Sequence, residues 1–157
     1  MRSSRHNDTL ASLGEDAPLA TRLAATHRAI NASLPWVARV AVAIYDPKTG
    51  ILKAFAHSSG EDDPLPHYQA RLEDVPSLKA LADERRPRVL NRLPGEPEAR
   101  SEHARLLDRA GYRASYTVPL YADNTFFGFV FFDSREADVL TPAALAQLDV
   151  FGHLVSL

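Results

Sequence analysis

The sequence predicts an α+β domain, an antiparallel β layer covered by helices from both ends of the chain. Three observations lead there. Two strand–turn–strand units, Arg39–His57 and Ser115–Asp133, each hold two β-rich runs joined by a short polar turn. In each unit one run is apolar on both parities, so the layer it forms must be covered on both faces. Helical stripes begin near Pro18 and at Pro142, one before and one after the two hairpins.

Residues 1–16 are polar, lack an apolar period and read as a flexible lead-in; the domain proper is 17–157. Asp16 is a helix cap and Pro18 fits a first turn; Leu19, Leu23, Ile30 and Leu34 form the stripe, and Pro35 ends it. The first hairpin runs Arg39–Tyr45, then Asp46-Pro-Lys-Thr-Gly50, then Ile51–His57. Residues 58–75 carry Gly60, Pro64 and Pro66 and read as loop, with a short strand over Tyr68–Leu72. Ser77–Arg86 is a short helix with Leu78 and Leu81 inward, stopped by Pro87, and Arg88–Asn91 is extended. After a turn at Pro94–Pro97, Glu98–Ala110 is a charged helix closed by Gly111. The second hairpin is Ser115–Tyr121, a turn at Ala122–Thr125, and Phe126–Asp133. Its five phenylalanines between 126 and 132 cannot all face water. Pro119 deletes a ladder donor, so a bulge or an unpaired stretch is expected there. Thr141 as cap and Pro142 at the first helical position start the last helix, with Leu145, Leu148, Phe151 or Gly152, and Val155 on its period. That helix stops mid-pattern, which reads as a chain continuing into something else.

Composition narrows the function. The 157 residues and 17.3 kDa are one domain's worth of chain, and 45% hydrophobic residues support a core. A net charge of −2 gives no basic excess, so bulk nucleic-acid binding is not expected. No apolar run approaches the ~18 residues of a membrane span, and no secretory signal stands at the start. With no cysteine there is no disulfide, thiolate metal site or thiol nucleophile. A cytoplasmic location is compatible with this.

The order helix, hairpin, irregular middle, hairpin, helix resembles a GAF domain. The resemblance is carried by Ala41-Val-Ala-Ile-Tyr-Asp46 with Gly50, by Ser77-Leu-Lys-Ala-Leu-Ala with Arg86-Pro-Arg-Val-Leu90, by Ala114-Ser-Tyr-Thr-Val-Pro-Leu120 with Phe127-Gly-Phe-Val-Phe-Phe, and by Leu140-Thr-Pro with Leu145 and Leu148. It covers residues 17–157. It implies a five- or six-stranded antiparallel sheet of GAF/PAS-like, profilin-like shape. Terminal helices lie on one face, and loops and short helices lie on the other, with a small ligand often held beneath. It also implies a sensory and regulatory domain of the kind found in bacterial signalling proteins. Such a domain is non-catalytic, pairs as a homodimer through its terminal helices and passes its signal to a C-terminal output module: a kinase, a cyclic-di-GMP enzyme or a transcription activator. Bilin-carrying members and those that reduce methionine sulfoxide use cysteines, which this chain lacks. The Asn-Lys…Phe…Asp-Glu signature of cyclic-nucleotide binders has only Asn91, Phe132 and Asp133 here, without their companions.

No catalytic set stands out. The six histidines show no metal spacing, and Gly-rich phosphate loops and Gly-x-Ser-x-Gly are absent. No metal and no cofactor is therefore expected. Glu61-Asp62-Asp63 lacks the alternation of a calcium loop and reads as solvated. Arg85, Arg86, Arg88 and Arg92 are either an anion site or a solvated helix end, the latter preferred. His57 alternates with Phe55 and Ile51; it points into the ligand layer or sits at a hairpin end in partial solvent. His103 reads as a helix-surface histidine, although haem-binding relatives take an axial ligand from this region. If the GAF layout holds, the ligand-binding residues are Phe55, His57, Tyr68, Arg71, Asn91, His103, Tyr112 and Tyr116. The alternative is a ligand-free degenerate domain whose aromatic residues fill the cavity and which serves dimerisation and coupling.

Overall fold

The computed structural model describes residues 18–59, 69–93 and 102–156. Six strands form one antiparallel sheet: β1 (Val37–Asp46), β2 (Ile51–Ser59), β3 (Gln69–Arg71), β4 (Arg88–Leu90), β5 (Ala114–Ala122) and β6 (Thr125–Ser134). Their order across the sheet is β3-β2-β1-β6-β5-β4. The two hairpins are thus joined in the middle by the β1–β6 pair, the two strands with the strongest apolar runs. The helices are α1 (Leu19–Asn31), α2 (Pro76–Glu84), α3 (Glu102–Arg109) and α4 (Pro142–Ser156). The architecture is the α+β class expected, with six strands.

Alternation assigns the faces. Val40 and Val42 of β1, Tyr116 of β5 and Val130 and Phe132 of β6 pack with Leu23 and Ile30 of α1 and Ala144 and Leu148 of α4. Ala41, Ala43, Phe129 and Phe131 point the other way and pack with Leu52 and with Leu78, Leu81 and Ala82 of α2. A third cluster, Leu90, Leu93, Ala104, Leu107 and Tyr112, seats α3 at the far end. Phe129, Val130 and Phe132 are essentially inaccessible, which is what a strand greasy on both parities requires.

The turns follow local chemistry. In the first hairpin Asp46 accepts from Lys48 N at 2.9 Å and from Thr49 Oγ1 at 3.1 Å, and Gly50 takes φ +73°. In the second, Asp123 and Asn124 both have positive φ, +50° and +67°, the two-residue turn whose twist suits a hairpin. Gly111 closes α3 at φ +93°, as expected. Thr141 Oγ1 accepts from Ala144 N at 3.2 Å, the cap read from sequence.

Some expectations shift. Helix α1 ends at Asn31, not at Pro35; Leu34 is buried from outside the helix. Pro18 precedes the first helical residue, and Asp16 lies outside the described residues. Left-handed Arg85, φ +55°, ends α2 before Pro87 is reached. The irregularity expected at Pro119 falls one step later, between Leu120 and Tyr121. Pro119 itself stays in register with Phe129, and β4 pairs only as far as Thr117, so beyond that point β5 is an edge that needs no further donor.

Candidate functional site

The sheet face beneath α2 and α3 has a polar patch in its apolar surroundings. Register creates it. Arg39 on β1 pairs with Asp133 on β6, Asp133 with Ser115 on β5, and Thr117 on β5 with Arg88 on β4. Cross-strand partners share a face, so five polar side chains from four adjacent strands converge. All are buried: Arg39 is 2% exposed, Arg88 5%, Asp133 1%, and Ser115 and Thr117 are inaccessible.

Arg39 Nη1 donates to Asp133 Oδ2 at 2.6 Å, a short buried ion pair. Arg88 reaches Thr117 Oγ1 and Ser77 Oγ, each at 3.5 Å. His103 comes down from α3 and lies on Phe131 with ring centroids 4.6 Å apart. It is 3% exposed. Burial pushes its pKa well below the usual imidazole value, and the guanidinium groups of Arg88 and Arg39 push it further down. Burial pushes the Asp133 carboxyl up, against the opposing pull of the Arg39 and Arg88 guanidinium groups. Ser115 stands beside Asp133, yet neither Ser115 Oγ nor Asp133 Oδ1 completes a hydrogen bond among the described residues.

A cavity with about 10 Å³ of room for a water-sized guest sits here. It is lined by Arg39, Ala41, Val42, Ala43, Ala54, His103 and Phe131. Its walls are apolar apart from Arg39 and His103. Among the described residues no three histidine, aspartate or glutamate side chains gather as a metal ion needs.

The GAF domain model matches residues 19–157. The chain belongs to the GAF domain family. No curated protein matches the sequence. Solved structures agree on the fold. The GAF domain of a phosphoenolpyruvate-protein phosphotransferase from Coxiella burnetii superposes with TM-score 0.71 at 14% identity, over 94% of this chain and 86% of that one. The phycocyanobilin-bound GAF domain of a cyanobacterial phytochrome gives 0.68 at 18%, over 94% and 87%. The free methionine-R-sulfoxide reductase of Neisseria meningitidis, solved with its substrate, gives 0.66 at 15%, over 94% and 81%. This GAF chain spans only 57% of the chromophore-binding domain of a bacteriophytochrome from R. palustris, with TM-score 0.68 at 12% identity over 94% of this chain.

The structure divides the residues nominated from sequence. His103 and His57 share the roofed face: His57 pairs across strands with Ala41, which lines the cavity. His103 is buried, not a surface histidine, because its side of α3 faces the sheet. Tyr116 takes the opposite parity; its hydroxyl donates to Asp149 Oδ1 on α4 at 2.5 Å. Phe55 is 63% exposed, the extra residue where the β1–β2 register slips, and lines a separate groove with Ile44 and Ile51. Arg71 is exposed beside Glu73. Asn91 is spent on the loop before α4, bonding Leu140 N at 3.0 Å and Leu140 O at 3.4 Å. Tyr112 is core within the α3 cluster. Tyr68 and the Glu61–Asp63 run lie outside the described residues.

The basic patch also divides. Arg85 bonds Asn124 and stacks on Tyr121, Arg86 pairs with Glu84, and Arg92 with Asp138. Arg88 alone turns into the buried cluster, which corrects the reading of all four as a solvated helix end. Sequence reasoning passed over Arg39, Ser115, Thr117 and Asp133. The usable signal was parity: Arg39 shares it with Ala41 and Ala43, and Asp133 with Phe129 and Phe131.

Proposed function

We propose that this GAF domain is a non-catalytic sensory domain that binds a small molecule between the sheet and the α2–α3 layer. One observation carries the reading: a buried ion pair, two hydroxyls, a second arginine and a buried imidazole converge on the face that α2 and α3 cover. Buried charges cost desolvation, and apolar residues of similar volume would serve stability as well or better. Relatives of the same fold add support, since one was solved with bound phycocyanobilin and another with its substrate. The ligand's polar end meets Arg39, Asp133 and His103; its body displaces apolar contacts and moves α2 or α3. The shift reaches α1 and α4, which lie side by side on the opposite face, pair in a homodimer and lead to an output module.

A metabolite panel screened by thermal shift and confirmed by calorimetry tests this. A binder raises Tm, and Arg39→Gln weakens it. The reading fails if nothing shifts Tm and the cavity stays filled by the protein's own side chains.

One observation favours a second reading. The cavity holds about one water, and His103 is packed against Phe131. A ligand-free domain that only dimerises and couples fits this closed interior. Sedimentation separates the two: a chain that stays monomeric at high concentration removes the second reading.

A further inference from the structure

We infer that a second site, for a small organic acid, lies at the end of the sheet where β1 starts and β6 ends. A cleft of about 310 Å³ there is lined by His27, Asn31, Pro35, Val37, Ala38, Tyr112 and Arg135. It shares no lining residue with the roofed cavity. Its volume falls within the range of small-molecule sites, about 300–1,000 Å³.

The polar groups on its walls are fixed before any guest arrives. Arg135 lies over the Tyr112 ring, 4.3 Å from the centroid, and Nη1 donates to Ala110 O at 2.7 Å. Gly111 makes room for it: a Cβ there would come within 2.8 Å of Arg135 Nη1. On the α1 wall, Asn31 Nδ2 donates to Val37 O at 2.9 Å and Leu34 O at 3.1 Å, so its amide oxygen is the group left to accept from a guest. His27 is held by Val37 O at 2.7 Å and Ser58 Oγ at 2.9 Å. Side chains ordered in advance lower the entropy cost of binding. A planar, stacked guanidinium and an amide acceptor lining one cleft select a carboxylate that also carries a hydrogen-bond donor. His27 and Asn31 belong to α1, so occupancy would act directly on a terminal helix.

Trp36 is the one tryptophan of the chain and sits between the lining residues Pro35 and Val37. Its fluorescence is titrated with lactate, acetate and inorganic phosphate at constant ionic strength. Lactate, whose hydroxyl can donate to the Asn31 amide oxygen, gives a saturable change with a Kd on the order of millimolar. Arg135→Gln weakens it at least about tenfold, and Arg135→Lys, which keeps charge but not the fork, falls between. Should Arg135→Gln fail to fold, ¹H–¹⁵N spectra of the unaltered protein decide, with the Asn31 side-chain amide and the Arg135 Nε shifting on lactate addition. The inference is overturned if lactate never saturates, if Arg135→Gln binds as the parent does, if only phosphate binds, or if those resonances stay still.

Discussion

Asp133 holds the buried polar cluster together, because its carboxylate is the one described acid beside two buried guanidinium groups. Asp133→Ala breaks the buried ion pair with Arg39 and is expected to cost about 3–5 kcal/mol in urea unfolding. Replacing the pair together, Arg39→Met with Asp133→Leu, recovers most of that loss. His103 makes stability depend on pH. Its folded pKa lies below the ordinary 6.5, so between the two values the unfolded chain takes a proton that the folded chain refuses. Stability is therefore fully present above about pH 6.5 and is lost as pH falls towards the folded value, by at most about tenfold in the folding equilibrium per pH unit. Asp133 works the other way at lower pH: its raised pKa lets the folded chain hold a proton longer, so acid spares it just above 3.8. Denaturant melts at pH 7.5 and pH 5.5 check the histidine, and His103→Gln removes that part of the slope. Of these residues only His103 was among the ligand-binding candidates read from the sequence. Arg39 and Asp133 sit at the ends of apolar runs, where a charge ordinarily faces water, and only register makes them neighbours.

Elements were easier to read than residues. Strands apolar on both parities, Asp/Asn and Gly turns, and Thr141-Pro142 each act over a few residues, so their signals survive in a linear chain. What failed was local competition at helix ends: Ser33 N and Leu34 N turn back to Ile30 O and close α1 before its proline arrives. Two glycines separate packing from propensity. Gly128 lies where β6 crosses β1, and a Cβ there would stand 2.2 Å from Ala43 O. Gly128→Ala must move a backbone and is expected to lose more than about 2 kcal/mol by calorimetry. Gly152 in α4 meets only ordinary contacts, 3.6 Å to Val130 and 3.9 Å to Phe132. Gly152→Ala is expected to gain about 0.5–1 kcal/mol from helix propensity. Tyr116→Phe removes the bond that ties β5 to α4 and is expected to lose about 1.5–3 kcal/mol.

At the scale of the whole molecule, the sheet has one face given to α1 and α4 and the other to α2 and α3. Val150 is 61% exposed on α4, so Val150→Asp should leave the monomer's stability nearly unchanged. If the terminal helices pair, sedimentation shows the parent as a dimer and this variant shifted to monomer. Among the described residues no helix is long and apolar enough to cross a membrane. The class, the two hairpins, the apolar content of both faces and the helices at each end were legible in the linear chain. Periodicity and turn chemistry are short-range and need no partner to be read. Which polar residues meet, the contact of Tyr116 with α4, the burial of His103 and Arg88, and the stacking of Arg135 in a cleft emerge from the packed fold alone. Those facts depend on strand register and on one helix lying across another, and neither is written in local spacing.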